Sequence, residues 1–217
     1  MMKRSKAYLG IALTSVLLLS ACAQPSKIYA ADKSSGTYFS VPRGWKMVSQ
    51  EDLSAHEATS TVAGASDRLA SVIWQEGYSP DTSVTAKKIL SLKTSDQPIV
   101  YARVRDLNGD EINAISYNGL RNIIVPLTSW FDGVGSVPDF TISVDEERIE
   151  KGARGVHSIF TFQGADGAYQ TINQIALLSN DHTRIFVLIV RCSKKCYSEN
   201  RQVLEDISNS YTVRGSQ

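Results

Sequence analysis

The sequence predicts an α+β domain, an antiparallel β-sheet meander sandwiched by helices, and three observations predict it. Four alternating segments follow one another between residues 140 and 190, and the short, turn-forming connections between them force antiparallel neighbours. One of the four, residues 185–190, is apolar at consecutive positions, which places it in the sheet centre with material packed over both faces. Apolar residues at helical spacing precede the series from Ile112 and follow it from Tyr197, so helices supply that cover.

From the beginning of the chain, Lys3, Arg4 and Lys6 open a positive segment that runs into an uncharged apolar stretch over residues 7–19, the pattern of an export signal. A run of about 13 residues, rising about 1.5 Å each, covers roughly 20 Å of a hydrocarbon core about 30 Å thick, too little for a spanning helix. Leu19-Ser20-Ala21-Cys22 then resembles the bacterial lipobox, in which small residues precede an obligatory cysteine. The resemblance implies that residues 1–21 are a removable lipoprotein signal peptide. It also implies diacylglycerol on the Cys22 sulfur, usually with a further acyl chain on the new amino group. Each buried methylene contributes about 0.8 kcal/mol, so two or three chains hold a protein to a membrane where one does not. The alternative is an ordinary secretory peptide cut near Ala30 and Ala31. With Cys22 as the anchor, residues 22–36, which include Pro25, Ser34 and Ser35, read as a flexible tether, and residues 37–217 as a single domain.

Removing Lys3, Arg4 and Lys6 from the 23 basic residues leaves 20 against 22 acidic ones. A balance so near neutral excludes nucleic acid as an expected partner, because phosphate backbones select a strong basic excess. The remaining length fits one well-buried core.

Within the folded part, residues 37–41 alternate as a strand and stop at Pro42, and the turn Arg43-Gly44-Trp45 brings an aromatic back toward the core. Residues 69–74 read as a second strand and 85–92 as a weak helix, whereas 99–104, after Gln97-Pro98, suit strand and helix alike. From Ile112 to Leu127 apolar residues recur every three to five positions. This spacing suits an amphipathic helix better than a strand, one weakened by Gly119 and ended or kinked by Pro126, with Trp130 and Phe131 expected over its far end. The meander follows as residues 140–144, 156–162, 168–178 and 184–190, turning at Gly164-Ala165-Asp166-Gly167 and at Asn180-Asp181-His182. A helix opening at Ser193 carries Tyr197, Val203, Leu204 and Ile207 as its apolar stripe, closes at 208–210 and leads to a last strand at 211–213.

With Cys22 acylated, Cys192 and Cys196 remain, and an even pair outside the cytoplasm reads as a disulfide. Their spacing at a strand-to-helix corner permits Cα atoms about 6 Å apart. So small a loop stabilises only at the low end of the usual range. Two thiols without further ligands make a poor zinc site.

The chemical candidates are few. His56, His157 and His182 stand far apart and in no metal-binding spacing. Asp106-Leu107-Asn108-Gly109-Asp110-Glu111 begins like a calcium loop. Glu111 then stands where glycine is needed and Tyr117 where a bidentate acid is, so the segment reads as a turn or helix start. Gly133-Val134-Gly135-Ser136 lacks the flanking strand and helix of a phosphate loop, and no G-x-S-x-G elbow is present. Lys194 and Lys195, with Arg191 and Arg201, form a basic cluster that reads as a solvated helix start ahead of a contact patch for an acidic polymer. Trp45, Trp74 and Trp130 read as core ahead of groove-lining aromatics. No cofactor is expected.

Tyr38-Phe39-Ser40-Val41-Pro42-Arg43-Gly44-Trp45, the meander, and a closing helix that runs into Ser210-Tyr211-Thr212-Val213 resemble the PsbP-like fold. That fold occurs in photosystem accessory proteins, in a nuclear transport factor and in many bacterial lipoproteins. Gly152-Ala153-Arg154-Gly155-Val156, Gln170-Thr171-Ile172-Asn173-Gln174 and residues 190–197 look more particularly like actinobacterial surface lipoproteins. The resemblance implies a scaffold for binding and assembly and brings no active-site motif. The expectation is a non-enzymatic protein, lipid-anchored on the extracytoplasmic face of the cell membrane. Its expected partner is another envelope protein or a small apolar ligand held between sheet and helix. An envelope hydrolase is the alternative.

Overall fold

The computed structural model describes residues 26–214; the signal segment and Cys22 lie outside them. Along the chain the strands are β1 (Lys27–Asp32), β2 (Thr37–Pro42), β3 (Lys46–Val48), β4 (Val72–Ser79), β5 (Ile99–Asp106), β6 (Phe140–Ile149), β7 (Ala153–Gln163), β8 (Tyr169–Ser179), β9 (Arg184–Ser193) and β10 (Thr212–Val213). The helices are α1 (Gln50–Glu57), α2 (Ala65–Ala70), α3 (Ala86–Leu90), α4 (Gly109–Ala114), α5 (Tyr117–Leu120), α6 (Leu127–Phe131), α7 (Lys194–Glu199) and α8 (Arg201–Asn209). Seven strands make one antiparallel sheet in the order β3-β4-β5-β9-β8-β7-β6, and β1-β2-β10 make a second. The architecture is therefore α+β, with the meander of β6 to β9 in the larger sheet.

Strand β9 lies between β5 and β8, and its residues from Ile185 onward are all buried, as its unbroken apolar run requires. One face of the large sheet buries Val100, Ile175, Leu188 and Val190 against Leu204 and Ile207 of α8 and Phe39 and Val41 of the small sheet. The other face buries Phe160, Ile172, Ile185 and Val187 against Leu120, Leu127 and Trp130 of the α5–α6 region. A third cluster joins Leu53 of α1 and Ile89 of α3 to Ile99.

Several sequence expectations are corrected. Residues 27–32, read as tether, form β1, paired along its length with β2 from Lys27↔Pro42 to Asp32↔Thr37. Ala30 of this strand is buried in the core, so the hydrophobic contact outweighs the freedom of the linker. Leu69 and Ala70 end helix α2, and the strand begins only at Val72. The single helix expected from Ile112 to Leu127 is three short ones. Ile115 turns extended, the Ser116 hydroxyl caps a new start by accepting from the Gly119 amide, and Pro126 precedes a third start at Leu127. The closing helix likewise divides at Asn200, and Val203 is 40 % exposed rather than part of the apolar stripe.

Candidate functional site

Cys192 and Cys196 form the expected disulfide, Cα to Cα 5.8 Å, at the junction of β9 and α7. His157 lies in mid-strand, with Glu146 Oε1 3.0 Å from Nδ1 and Asn173 Oδ1 3.0 Å from Nε2. Both ring nitrogens are thereby engaged, and His182 stands in the β8–β9 turn at a φ of 60°. The incipient calcium loop is a helix start. Asn108 Oδ1 accepts from the Glu111 amide at 2.8 Å while the Glu111 carboxylate accepts from the Asn108 amide at 3.0 Å, a reciprocal capping box. Trp74 and Trp130 are core residues, and Trp45 packs partly buried against the cluster that holds the first of them.

Arg191 does not belong to an exposed basic cluster. It is 2 % exposed, and its guanidinium donates to the carbonyls of Lys88 at 3.1 Å and Lys93 at 3.1 Å, and to that of Ser91. Burial pulls it down to about 10, so it stays charged at neutral pH. Its partners lie at and beyond the C-terminus of α3, where the helix dipole favours a cation. The side chain thus fixes α3 and the segment after it to β9.

Beside that fixed corner a groove of about 390 Å³ opens over β5 and β9. Its floor is three cross-strand pairs, Tyr101↔Ile189, Arg103↔Val187 and Arg105↔Ile185, so one side is polar and the other aliphatic. Residues two apart on a strand share a face, and this alternation alone sets the two rows side by side. Glu57 and Arg68 come from α1 and α2, Leu90 from α3, and Ile123 and Ile124 from the turn after α5.

The polar side is internally bonded. Arg103 Nη1 donates to Glu57 Oε1 at 2.6 Å and to the Tyr101 hydroxyl at 3.3 Å. Tyr101 donates to Gln75 Oε1 at 2.7 Å, and Gln75 Nε2 returns to Glu57 Oε2 at 3.0 Å. Burial pushes the Tyr101 hydroxyl up to about 12. Burial also opposes the Arg103 charge, but Tyr101 and Glu57 outweigh it and raise that guanidinium. Arg105 grips Glu111 with two bonds, 2.8 and 2.7 Å, and holds its carboxyl below the usual range. Among the described residues no three acidic, histidine or cysteine side chains gather to hold a metal ion, and no helix is long and apolar enough to cross a membrane.

Sequence reasoning missed this groove because residues 99–104 suited helix and strand equally. Only as a strand do Tyr101, Arg103 and Arg105 share a face.

No protein-family model and no curated protein matches the chain. Solved structures are similar to it over most of its length. LpqN, involved in cell envelope biogenesis of Mycobacterium tuberculosis, is 11% identical over 86% of this chain and 88% of its own, with a TM-score of 0.45. Cyanobacterial PsbP from Synechocystis is 11% identical over 90% and 98%, with a TM-score of 0.45. The Ran-binding protein Mog1p of Saccharomyces cerevisiae is 9% identical over 87% and 96%, with a TM-score of 0.44. A PsbP structure, the fold to which the sequence bears a resemblance, is thus among them. Likeness of this order bears on neither activity nor partner.

Proposed function

We propose that the chain is a lipid-anchored, non-catalytic binding module of the cell envelope. Acylation at Cys22 holds it on the extracytoplasmic face of the cell membrane, and the groove over β5 and β9 receives its ligand. The observation that carries the reading is the groove itself. It is a concave site between sheet and helices, lined by an aliphatic row and a few fixed polar groups. Its one lining carboxylate, Glu57, is paired to Arg103, and Glu111, which holds Arg105 from outside the lining, is likewise paired, so no free carboxylate stands in the groove as an acid or base.

Two measurements test the parts separately. Intact-mass spectrometry of the chain from its own membranes is expected to show loss of residues 1–21 and added acyl chains that vanish in Cys22→Ala. An unlipidated mass beginning after Ala30 or Ala31 overturns the anchor. Hydrogen exchange with and without a solvent extract of the envelope is expected to protect residues 57–68, 99–105 and 121–125. Protection confined to α7 and α8, or to β6, overturns the groove.

A further inference from the structure

We infer that the groove's ligand is a single-chain amphiphile with an anionic head. The inference rests on the groove being the binding surface and adds the chemical class of the occupant. The two rows of the floor diverge in character along the same length. Ile185, Val187 and Ile189 run from end to end, and Leu90 and Ile124 add apolar walls, so an alkyl chain has a continuous apolar bed. The floor extends over five residues of each strand, four steps or about 13 Å. A volume of 390 Å³ stands near the lower end of ligand pockets, about 300–1,000 Å³, which suits one chain and not two.

The head is set by charge. Arg68, Arg103 and Arg105 line the groove with one carboxylate, Glu57, and Glu111 of α4 pairs Arg105 from outside the lining, so one positive charge remains in excess. The surplus sits on Arg68. Among the described residues its guanidinium donates to the Ala63 carbonyl at 3.4 Å and its charge helps lower the Glu111 carboxyl, and its own carbonyl accepts from Arg103 Nη2 at 3.3 Å, which places it beside the ion-paired arginine. Arg103 Nε is buried with no hydrogen-bond partner. A carboxylate or phosphate oxygen at this end matches guanidinium geometry and balances the charge.

The test is calorimetric titration of the Cys22→Ala chain, which has no acyl chain at that position to compete, with probes held below their micelle concentrations. Dodecanoate and dodecyl phosphate are expected to bind at least tenfold more tightly than dodecyl maltoside or dodecyltrimethylammonium. Arg68→Gln, on an exposed helix, is expected to weaken the two anionic probes and so remove most of that preference. Ala65, the first residue of α2, also lines the groove, and Ala65→Trp, which places an indole there, is expected to abolish binding of all four; if circular dichroism shows that variant misfolded, Ile124→Glu serves instead. Equal binding of charged and uncharged heads overturns the anionic assignment and leaves the groove standing. Inorganic phosphate binding as tightly as dodecyl phosphate overturns the role of the chain. Binding of none of the amphiphiles overturns the assignment and the groove together.

Discussion

At the scale of single residues, the decisive contacts are arginines whose partners are distant in sequence. Arg191 meets the carbonyls of Lys88 and Lys93, about a hundred positions away, so nothing in its neighbourhood of Cys192, Lys194 and Lys195 distinguishes it from a surface cation. Removing it leaves part-buried carbonyls unpaired, and Arg191→Ala is expected to cost about 3 kcal/mol in urea unfolding. Arg191→Lys should recover only part, since one ammonium cannot span the fork. Glu111 makes a pH-dependent case. Its carboxyl is depressed by Arg105 from an ordinary value near 4.5. A carboxyl depressed on folding contributes stability that is fully present above that value and is lost as pH falls through the folded one. The stability difference between the native chain and Glu111→Gln should therefore shrink as pH falls below about 4.5, as urea midpoints against pH will show. The disulfide, by contrast, is legible from two cysteines and their spacing.

Elements were legible where periodicity acted alone and hidden where a local hydrogen bond interrupted it. The meander β6 to β9 follows from alternation and turn residues, and its tight pairing has a specific consequence at Gly155. A Cβ there would lie 2.1 Å from the Ala176 carbonyl oxygen, so Gly155→Ala should push β7 off β8 and cost about 2 kcal/mol or more, measured as a loss of stability in urea. The stretch from Ile112 to Leu127 kept helical spacing, yet Ser116 and Pro126 restart the chain twice, and side-chain capping prevails over the apolar pattern. Capping also governs α4, where Asn108→Ala is expected to cost about 1 kcal/mol. Strand β1 was missed although its signal was present: Asp32 accepts from the Ser34 and Ser35 amides, and Gly36 takes a φ of 68°, a turn that folds residues 27–32 back on β2.

At the scale of the whole molecule, the expected α+β meander under helices is what the chain forms, with the small sheet as an addition that seals one face. Deleting residues 27–32 should lower the melting temperature by at least about 5 °C, because Ala30 leaves the core; a tether would be removable at no cost. The groove arises at this scale too, because it needs β5 beside β9, α3 fixed by Arg191 and the turn after α5, and no single segment announces such a convergence. The central claim is that this convergence is a binding site, and native mass spectrometry of the chain purified from its own membranes tests it most directly. The account predicts a bound adduct on the native chain that is lost in the folded Ala65→Trp variant. An adduct retained equally by both, or carried by neither, would contradict it.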